Sequence, residues 1–254
     1  MTAATPDTPE AAPAPGSPAW WADRPGPRTA PRRGRPALDT DHIIATALRL
    51  VDEHGAPAFS LRTLADALGS GTATLYRHFA GKDEILAHLV DRVLGETDLS
   101  DLDALTTWQE VLTAMAHRFY DALRHHPHIV PLFMAQVPVG PNGLAQRERV
   151  LHALLAHGVP VGLAARAFAA VGHYVIGFAA QQHGPAAASP DTAPQLAAFY
   201  RQLDPATYPA ITRAATALTS VPLVEEFRFG LGLLVTGLER HTPHTGKDPA
   251  GSRA

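Results

Sequence analysis

Residues 64–86 read LADALGSGTATLYRHFAGKDEIL. The stretch holds the end of one short helical segment, a glycine turn and a second short segment. Ser60 can cap the first, whose apolar residues are Leu61, Leu64, Ala65 and Leu68. Gly69 breaks it, and a second short helix is predicted from about Gly71 to His78. After Ala80-Gly81 a longer helix begins at Lys82 and places Ile85, Leu86, Leu89, Val90 and Val93 on one side. Upstream, Thr40 can cap a helix in which Ile43, Ile44, Ala47, Leu48 and Val51 recur at helical spacing. Gly55 ends that helix and Pro57 prevents its resumption. A long helix followed by two short ones around a glycine turn is the helix-turn-helix arrangement.

The second short helix would be the reader. Leu75 and Phe79 stand four residues apart and turn inward, whereas Ala73 and Arg77 fall on the opposite side. Thr72 opens the helix, and Thr74 and Tyr76 flank its outer face. A face that is small at its N-terminal end and otherwise polar lets the backbone approach base edges. The same pattern also fits an ordinary surface helix of an α-helical bundle.

Further out, the 254-residue chain suits a small domain, a larger one and tails. It has no cysteine, which excludes disulfide scaffolds, thiol catalysis and cysteine-ligated metals. No basic stretch followed by an apolar run opens the chain, so a secretory signal is not expected. The most apolar long stretch, residues 159–180, contains Arg166 and His173 and reads as a buried helix rather than a membrane span. The net charge is −3, yet Arg24, Arg28, Arg32, Arg33 and Arg35 gather just before the first long helix. Such an arm suits contact with a polyanion, and equally a solvated tail.

Residues 1–37, rich in Pro, Ala and Thr, are expected to be mostly disordered. The same composition marks residues 184–194 and 243–254. On this basis, deleting residues 1–37 should leave the fold intact. Further helices are predicted at about 106–125, 128–136, 142–157, 160–182, 194–218 and 222–240, and no run alternates as a strand. The fold class is therefore all-α. No nucleophile elbow, P-loop or dinucleotide fingerprint appears, which argues against an enzyme. Fourteen histidines raise the metal question. His125, His126 and His128 fall near a helix end, where they suit its negative dipole, and HExxH is absent. Neither a metal site nor a cofactor is expected.

Residues 64–86 closely resemble the N-terminal domain of the tetracycline-repressor (TetR) family, with its pattern L-A-x-x-L-G…L-Y-x-H-F-x-x-K-x-x-L. Leu64, Ala65, Leu68, Gly69, Leu75, Tyr76, His78, Phe79, Lys82 and Ile85 or Leu86 occupy the pattern. Gly71 stands where the family commonly has a Ser or Thr cap, and glycine is an acceptable N-cap. The resemblance implies that Arg62 reads a base, because bidentate arginine–guanine contact is the commonest specific one. It implies groove and phosphate contacts for Thr74 and Tyr76. Lys82 sits at a helix N-terminus that favours phosphate, with Asp83 and Glu84 serving the dipole. His78 reads as a packed or hydrogen-bonded turn residue. Arg33 and Arg35 suit the minor groove. The DNA-binding set is thus Arg33, Arg35, Arg62, Thr72, Ala73, Thr74, Tyr76, Arg77 and Lys82.

The likeness continues through AAVGHYVIGFAAQQ and FRFGLGLLVTGLER, which look like the family's two dimerisation helices. Both are apolar nearly all round and carry glycines, Gly172 and Gly177 on one, Gly230, Gly232 and Gly237 on the other. A four-helix interface between two chains, through about 160–182 and 222–240, would bury them. A buried pair within one chain is the other reading. The resemblance makes Met115, Phe119, Leu123, Phe133, Val137, Val150, Tyr174 and Gln181 candidate lining of an effector cavity. Where the family's tetracycline-binding members place polar or metal-binding groups, this chain has Met115, Phe133, Val150 and Gln181. A magnesium–tetracycline chelate needs an imidazole and hard oxygen ligands, so an apolar or aromatic effector bound without metal is expected instead.

The expected organisation is a basic arm (1–37), a three-helix helix-turn-helix DNA-binding domain (38–95), a larger helical ligand-binding and dimerisation domain (96–242) and a tail (243–254). The expected function is a cytoplasmic homodimeric repressor of a palindromic operator. The alternatives are an all-α interaction module without specific DNA binding or, further off, an enzyme.

Overall fold

The structure, a computed structural model, describes residues 12–24, 39–182 and 192–241. Arg33 and Arg35, the segment 184–191 and the tail from 243 onward lie outside the described residues. The described residues are helical with no strand, so the fold is all-α. They form α1 (Pro18–Ala22), α2 (Thr40–His54), α3 (Leu61–Ala67), α4 (Thr72–Leu75), α5 (Lys82–Gly95), α6 (Trp108–His125), α7 (Val130–Ala135), α8 (Pro141–Ala156), α9 (Val161–Gln182), α10 (Thr192–Gln202), α11 (Pro209–Ala214), α12 (Ala217–Ser220) and α13 (Leu223–Glu239). The expected 194–218 helix is three, because Pro209 and a turn held by the Asp204 carboxylate, accepting from Ala206 N and Thr207 Oγ1, interrupt it.

The chain divides into two compact units, with the first break at Glu96/Thr97 and a later segment, His128–Ala145, joining the first unit. The second unit takes Thr97–Pro127 with Gln146 onward. In the first, α2, α3, α4 and α5 enclose Ile43, Ala47, Val51, Leu64, Leu75, Ile85, Leu89 and Val93, all inaccessible to solvent. Ser60 caps α3 in a reciprocal box with Thr63, and Gly69 adopts φ +59° in the turn.

Residues 128–145 belong here because they satisfy groups that α2 and α5 leave open. The imidazole Nδ1 of His128 donates to the carbonyls of Val51 (3.1 Å) and Asp52 (2.9 Å), which belong to the last turn of α2. The helix-end role read for this histidine is therefore real, but the helix is α2 rather than α6. The buried carboxylate of Asp91 on α5 accepts from Gly143 N (2.9 Å), Asn142 Nδ2 (3.0 Å) and Asn142 N (3.3 Å), so α8's first turn is capped by another helix's side chain. Burial raises the Asp91 pKa above the usual carboxylate value, and these hydrogen bonds oppose the rise.

The N-terminal segment differs from expectation. Ser17 caps α1, accepting from Trp20 N at 3.2 Å, and Trp20 is 5% exposed. The rings of Trp20 and Trp21 meet His88 edge-on at 5.5 and 5.0 Å, and Phe79 meets the same imidazole at 5.6 Å. Arg24 lies 3.4 Å over the Trp20 ring and pairs with the buried Glu84. Residues 12–24, expected as part of a mostly disordered arm, are thus anchored on α5 through the buried Trp20, although most of the segment is exposed. Deleting 1–37 would uncover His88 and leave the buried Glu84 without Arg24, so the fold is expected to lose stability rather than remain untouched.

In the second unit α6, α9 and α13 pack together. Thr107 and Glu110 form the capping box of α6, and Arg118 ties the preceding loop through Asp101 and the Asp98 carbonyl. Helix α9 is long and apolar enough to cross a membrane by length and composition. It buries Leu163, Ala164, Ala167, Val171, Val175 and Ala179 along one stripe within this unit, as a packed helix does.

Candidate nucleic-acid interface and effector site

The outer face of the reading head is built by what the inner face buries. Leu64 and Ala65 on α3 and Leu75 and Phe79 around α4 are buried, which rotates Arg62, Thr72, Ala73, Tyr76 and Arg77 outward, all exposed. Thr74 is half-buried, and its hydroxyl accepts from Arg77 Nη2 at 3.2 Å. Helix α4 is shorter than predicted, ending at Leu75 rather than His78. Tyr76 to Phe79 continue as hydrogen-bonded turns, with Tyr76 N on Thr72 O at 3.1 Å and His78 N on Leu75 O at 2.9 Å. The His78 side chain is exposed and its ring meets Phe79 at 6.4 Å; its backbone is held in the turn, the hydrogen-bonded alternative of the expectation. Tyr76 stands 59% exposed on the same face as Arg62 and Arg77.

Lys82 has a partner within the fold. Its Nζ donates to Ala56 O at 2.9 Å and lies 5.9 Å from the Phe59 ring, tying the start of α5 to the turn between α2 and α3. Glu84 is structural as expected. It is buried, accepts from Ala80 N at 2.6 Å and pairs with Arg24. His88 sits among Trp20, Trp21 and Phe79, and burial lowers its pKa below the usual histidine value. Glu84 opposes this lowering and Arg24 adds to it.

The candidate effector residues are split. Met115, Phe119 and Leu123 on α6, Val150 on α8, and Tyr174 and Gln181 on α9 belong to the second unit. Phe133 and Val137 belong to the first, where Phe133 is buried and Val137 is 64% exposed. Leu123 and Val150 are wholly buried in the core, Met115 nearly so, Phe119 and Tyr174 are partly exposed, and Gln181 is exposed.

Sequence reasoning missed the group that dominates the second unit. Phe227 on α13, fully buried, stacks on Tyr120 at 4.1 Å and 10° and on Tyr174 at 5.4 Å and 25°. Phe178 meets Phe227 edge-on at 5.4 Å and His117 does so at 5.6 Å. The signal was in the sequence as two helical pairs, His117 with Tyr120 and Tyr174 with Phe178, but nothing local brings Phe227 to them. Tyr174 Oη donates to Phe227 O at 2.9 Å. Burial raises the Tyr120 pKa above the usual phenol value, and the Arg124 charge opposes the rise. Among the described residues no cluster of three or more His, Asp or Glu could hold a metal ion.

This architecture matches known proteins over most of its length. The family "Bacterial regulatory proteins, tetR family" matches residues 43–89, and "Tetracyclin repressor-like, C-terminal domain" matches residues 103–242. The chain is 30% identical over 222 residues to the HTH-type transcriptional repressor DrrR1 of Streptomyces coeruleorubidus, covering 82% of this chain and 80% of that one. It is 28% identical over 209 residues to the class G tetracycline repressor of Vibrio anguillarum, covering 80% and 94%. The Streptomyces coelicolor TetR family protein ActR in complex with (S)-DNPA superposes with a TM-score of 0.74 at 28% identity, over 82% of this chain and all (100%) of that one. Its complex with actinorhodin gives 0.71 at 29% identity, over 80% and 98%. With a helix-turn-helix head whose outer face is free, and matches spanning both units, this chain belongs to the TetR family, as a ligand-responsive DNA-binding transcriptional regulator and not an enzyme.

Proposed function

We propose that the protein is a cytoplasmic homodimeric repressor that holds a palindromic operator and is released from it by an apolar or aromatic small molecule bound without metal. The observation that carries the DNA reading is the exposed Arg62, Thr72, Ala73, Tyr76 and Arg77 face above a fully buried Leu64–Leu75 seam. Arg62 is the base reader. Thr72, Ala73 and Thr74 set the approach of α4, Tyr76 and Arg77 contact groove and phosphate, and Lys82 adds charge beside the α5 N-terminus. Arg33 and Arg35 add a minor-groove contact.

Dimerisation runs through α9 and α13. Phe229 is 71% and Leu233 61% exposed on α13, leaving large apolar side chains without cover in the chain itself. A Cβ at Gly172, Gly177, Gly232 or Gly237 would meet no neighbour within 4 Å, so these glycines answer to no packing need among the described residues. A second copy supplies that need. Two-fold symmetry in turn calls for half-sites about 34–36 Å apart, or a small multiple.

The effector reading rests on the second unit, where Met115, Phe119 and Tyr174 lie on the helices that carry the Tyr120–Phe178–Phe227 rings. The partly exposed Phe119 and Tyr174 offer ring surface to an aromatic molecule beside that buried cluster. The ligand acts by its differential affinity for the two states, so a preference of a few kcal/mol suffices to release the DNA. The test is selection of bound duplexes from a random pool, followed by gel shifts with actinorhodin and with magnesium–tetracycline. Inverted repeats among the selected duplexes and release by the first compound alone are expected. Selected sites without symmetry, or release only by magnesium–tetracycline, would overturn the respective half of the reading.

A further inference from the structure

We propose that residues 12–24 are a strap that clamps α5 to the connector between α7 and α8, and that this clamp holds the DNA-reading head in its binding conformation. The strap, α5 and the connector all belong to the first unit.

Three contacts seat it. Trp20 and Trp21 pack on His88 at the middle of α5, with Phe79 on the far side of the same imidazole. Arg24 closes the strap's C-terminal end on Glu84, one turn earlier on α5, while lying over Trp20. At the other end the strap meets the connector. Gly16, at φ +83°, packs against the Gln136 side chain, and a Cβ there would come within 3.3 Å of the Ala87 methyl. Gly140 is similarly crowded, its Cβ position lying 2.9 Å from Trp21 Cζ2 and closer still to the Asp91 carboxylate. One short segment therefore touches α5 at Glu84, Ala87 and His88 and the connector at Gln136 and Gly140.

The functional consequence follows from where α5 begins. Its first residue, Lys82, is hydrogen-bonded to the turn between α2 and α3, and Phe79, which meets the imidazole that the strap holds, is three residues before it. A strap that immobilises α5 and Phe79 thus immobilises the frame on which α3 and α4 present Arg62 and Tyr76. The strap buries an indole, adds a cation–π contact and an ion pair with a buried partner, and supplies no side chain to the α3–α4 outer face. Its effect on DNA is therefore conformational, and this is what separates it from a DNA-contacting arm.

The inference rests on the head's DNA binding, and the test reads the clamp and the binding separately. Full-length Trp20→Ala and Arg24→Gln are compared with wild type by amide hydrogen exchange without DNA. They are also compared by anisotropy on a duplex that the wild-type protein selects from a random pool, across a salt series. Exchange over residues 82–96 and 128–145 is expected to rise at least tenfold in Trp20→Ala and less in Arg24→Gln, while residues 108–125 keep wild-type rates. DNA affinity is expected to fall at least threefold in Trp20→Ala with an unchanged salt slope, because no phosphate contact is lost. Unchanged exchange in the connector, or unchanged affinity with raised exchange, overturns the proposal. Arg24→Gln, which leaves no cavity, decides the matter if Trp20→Ala fails to fold. If the wild type selects no duplex, DNA binding itself fails, and the exchange arm still judges the clamp.

Discussion

Alanine at Gly232 and Gly237 separates a helix that serves its own chain from one that serves a partner. Both glycines lie inside α13, and a Cβ at either would meet nothing within 4 Å. Within one chain the change is favourable, since glycine costs a helix interior roughly 0.8–1.0 kcal/mol relative to alanine. The double variant should thus gain about 2 kcal/mol, or roughly 4–8 °C in Tm for a chain of this size. Against a closely packed second copy the two methyls overfill the contact at about 1–3 kcal/mol, and two-fold symmetry counts each twice. The dimer dissociation constant should then rise by at least about tenfold, which is roughly 1.4 kcal/mol. Sedimentation equilibrium over a concentration series reads the dissociation constant, and thermal unfolding at low concentration reads the chain. Gly230→Ala is the counter-case. Its Cβ would collide with the Tyr174 hydroxyl and lie 3.0 Å from Cζ, displacing the ring that donates to Phe227 O and stacks on Phe227. Losing about 1 kcal/mol of hydrogen bond and about 1 kcal/mol of stacking outweighs the propensity gain, so this variant should be less stable at every concentration. If the Gly232/Gly237 double variant raises Tm and leaves dimerisation untouched, the glycine stripe does not face a partner.

Arg62→Ala should weaken the selected duplex by about 1–3 kcal/mol and relax preference at one base pair per half-site, read by a panel of single-base substitutions. Lys82→Ala should weaken all sequences alike and flatten the salt dependence, with a small loss of stability from the bond to Ala56 O; identical profiles for the two variants would refute the division of labour. His88 should make stability fall as pH drops below about 6.5, because its folded pKa is lowered and the unfolded chain takes up the proton first. Asp91, whose pKa is raised, acts with the opposite sign toward 3.8, so His88→Gln should remove the loss near pH 6 and leave any acid-side gain. An unchanged pH profile of Tm in that variant would exclude His88 as the cause.

The helix-turn-helix was legible because everything that makes it is local. Ser60, Gly69, Gly71 and the Leu64–Leu75–Phe79 spacing specify caps, turn and buried seam within twenty residues. Helices α6, α8, α9 and α13 were found within two residues at either end by their period. What failed was whatever depends on distant partners. Two tryptophans in a Pro- and Ala-rich segment were a signal of burial, but their partner His88 stands 67 and 68 positions on. Residues 128–145 carry an ordinary helical pattern, and only the open carbonyls of α2 and the Asp91 carboxylate show which unit they complete. Phe227 looked like one more apolar position of a glycine-rich helix until α6 and α9 set rings on both its faces.

The carboxylate of Asp91 and the imidazole of His128 also bear on how the protein is made. The first unit's last stabilising groups are encoded after α6, so a ribosome must finish Gly143 before the head can close its hydrogen bonds. Until then α2 ends on open carbonyls and Asp91 has no amides to cap. For the same reason residues 38–95 alone are expected to be less stable than the full first unit. A chimera that grafts this reading head onto another regulator must carry residues 12–24 and 128–145 with it, or supply substitutes for both.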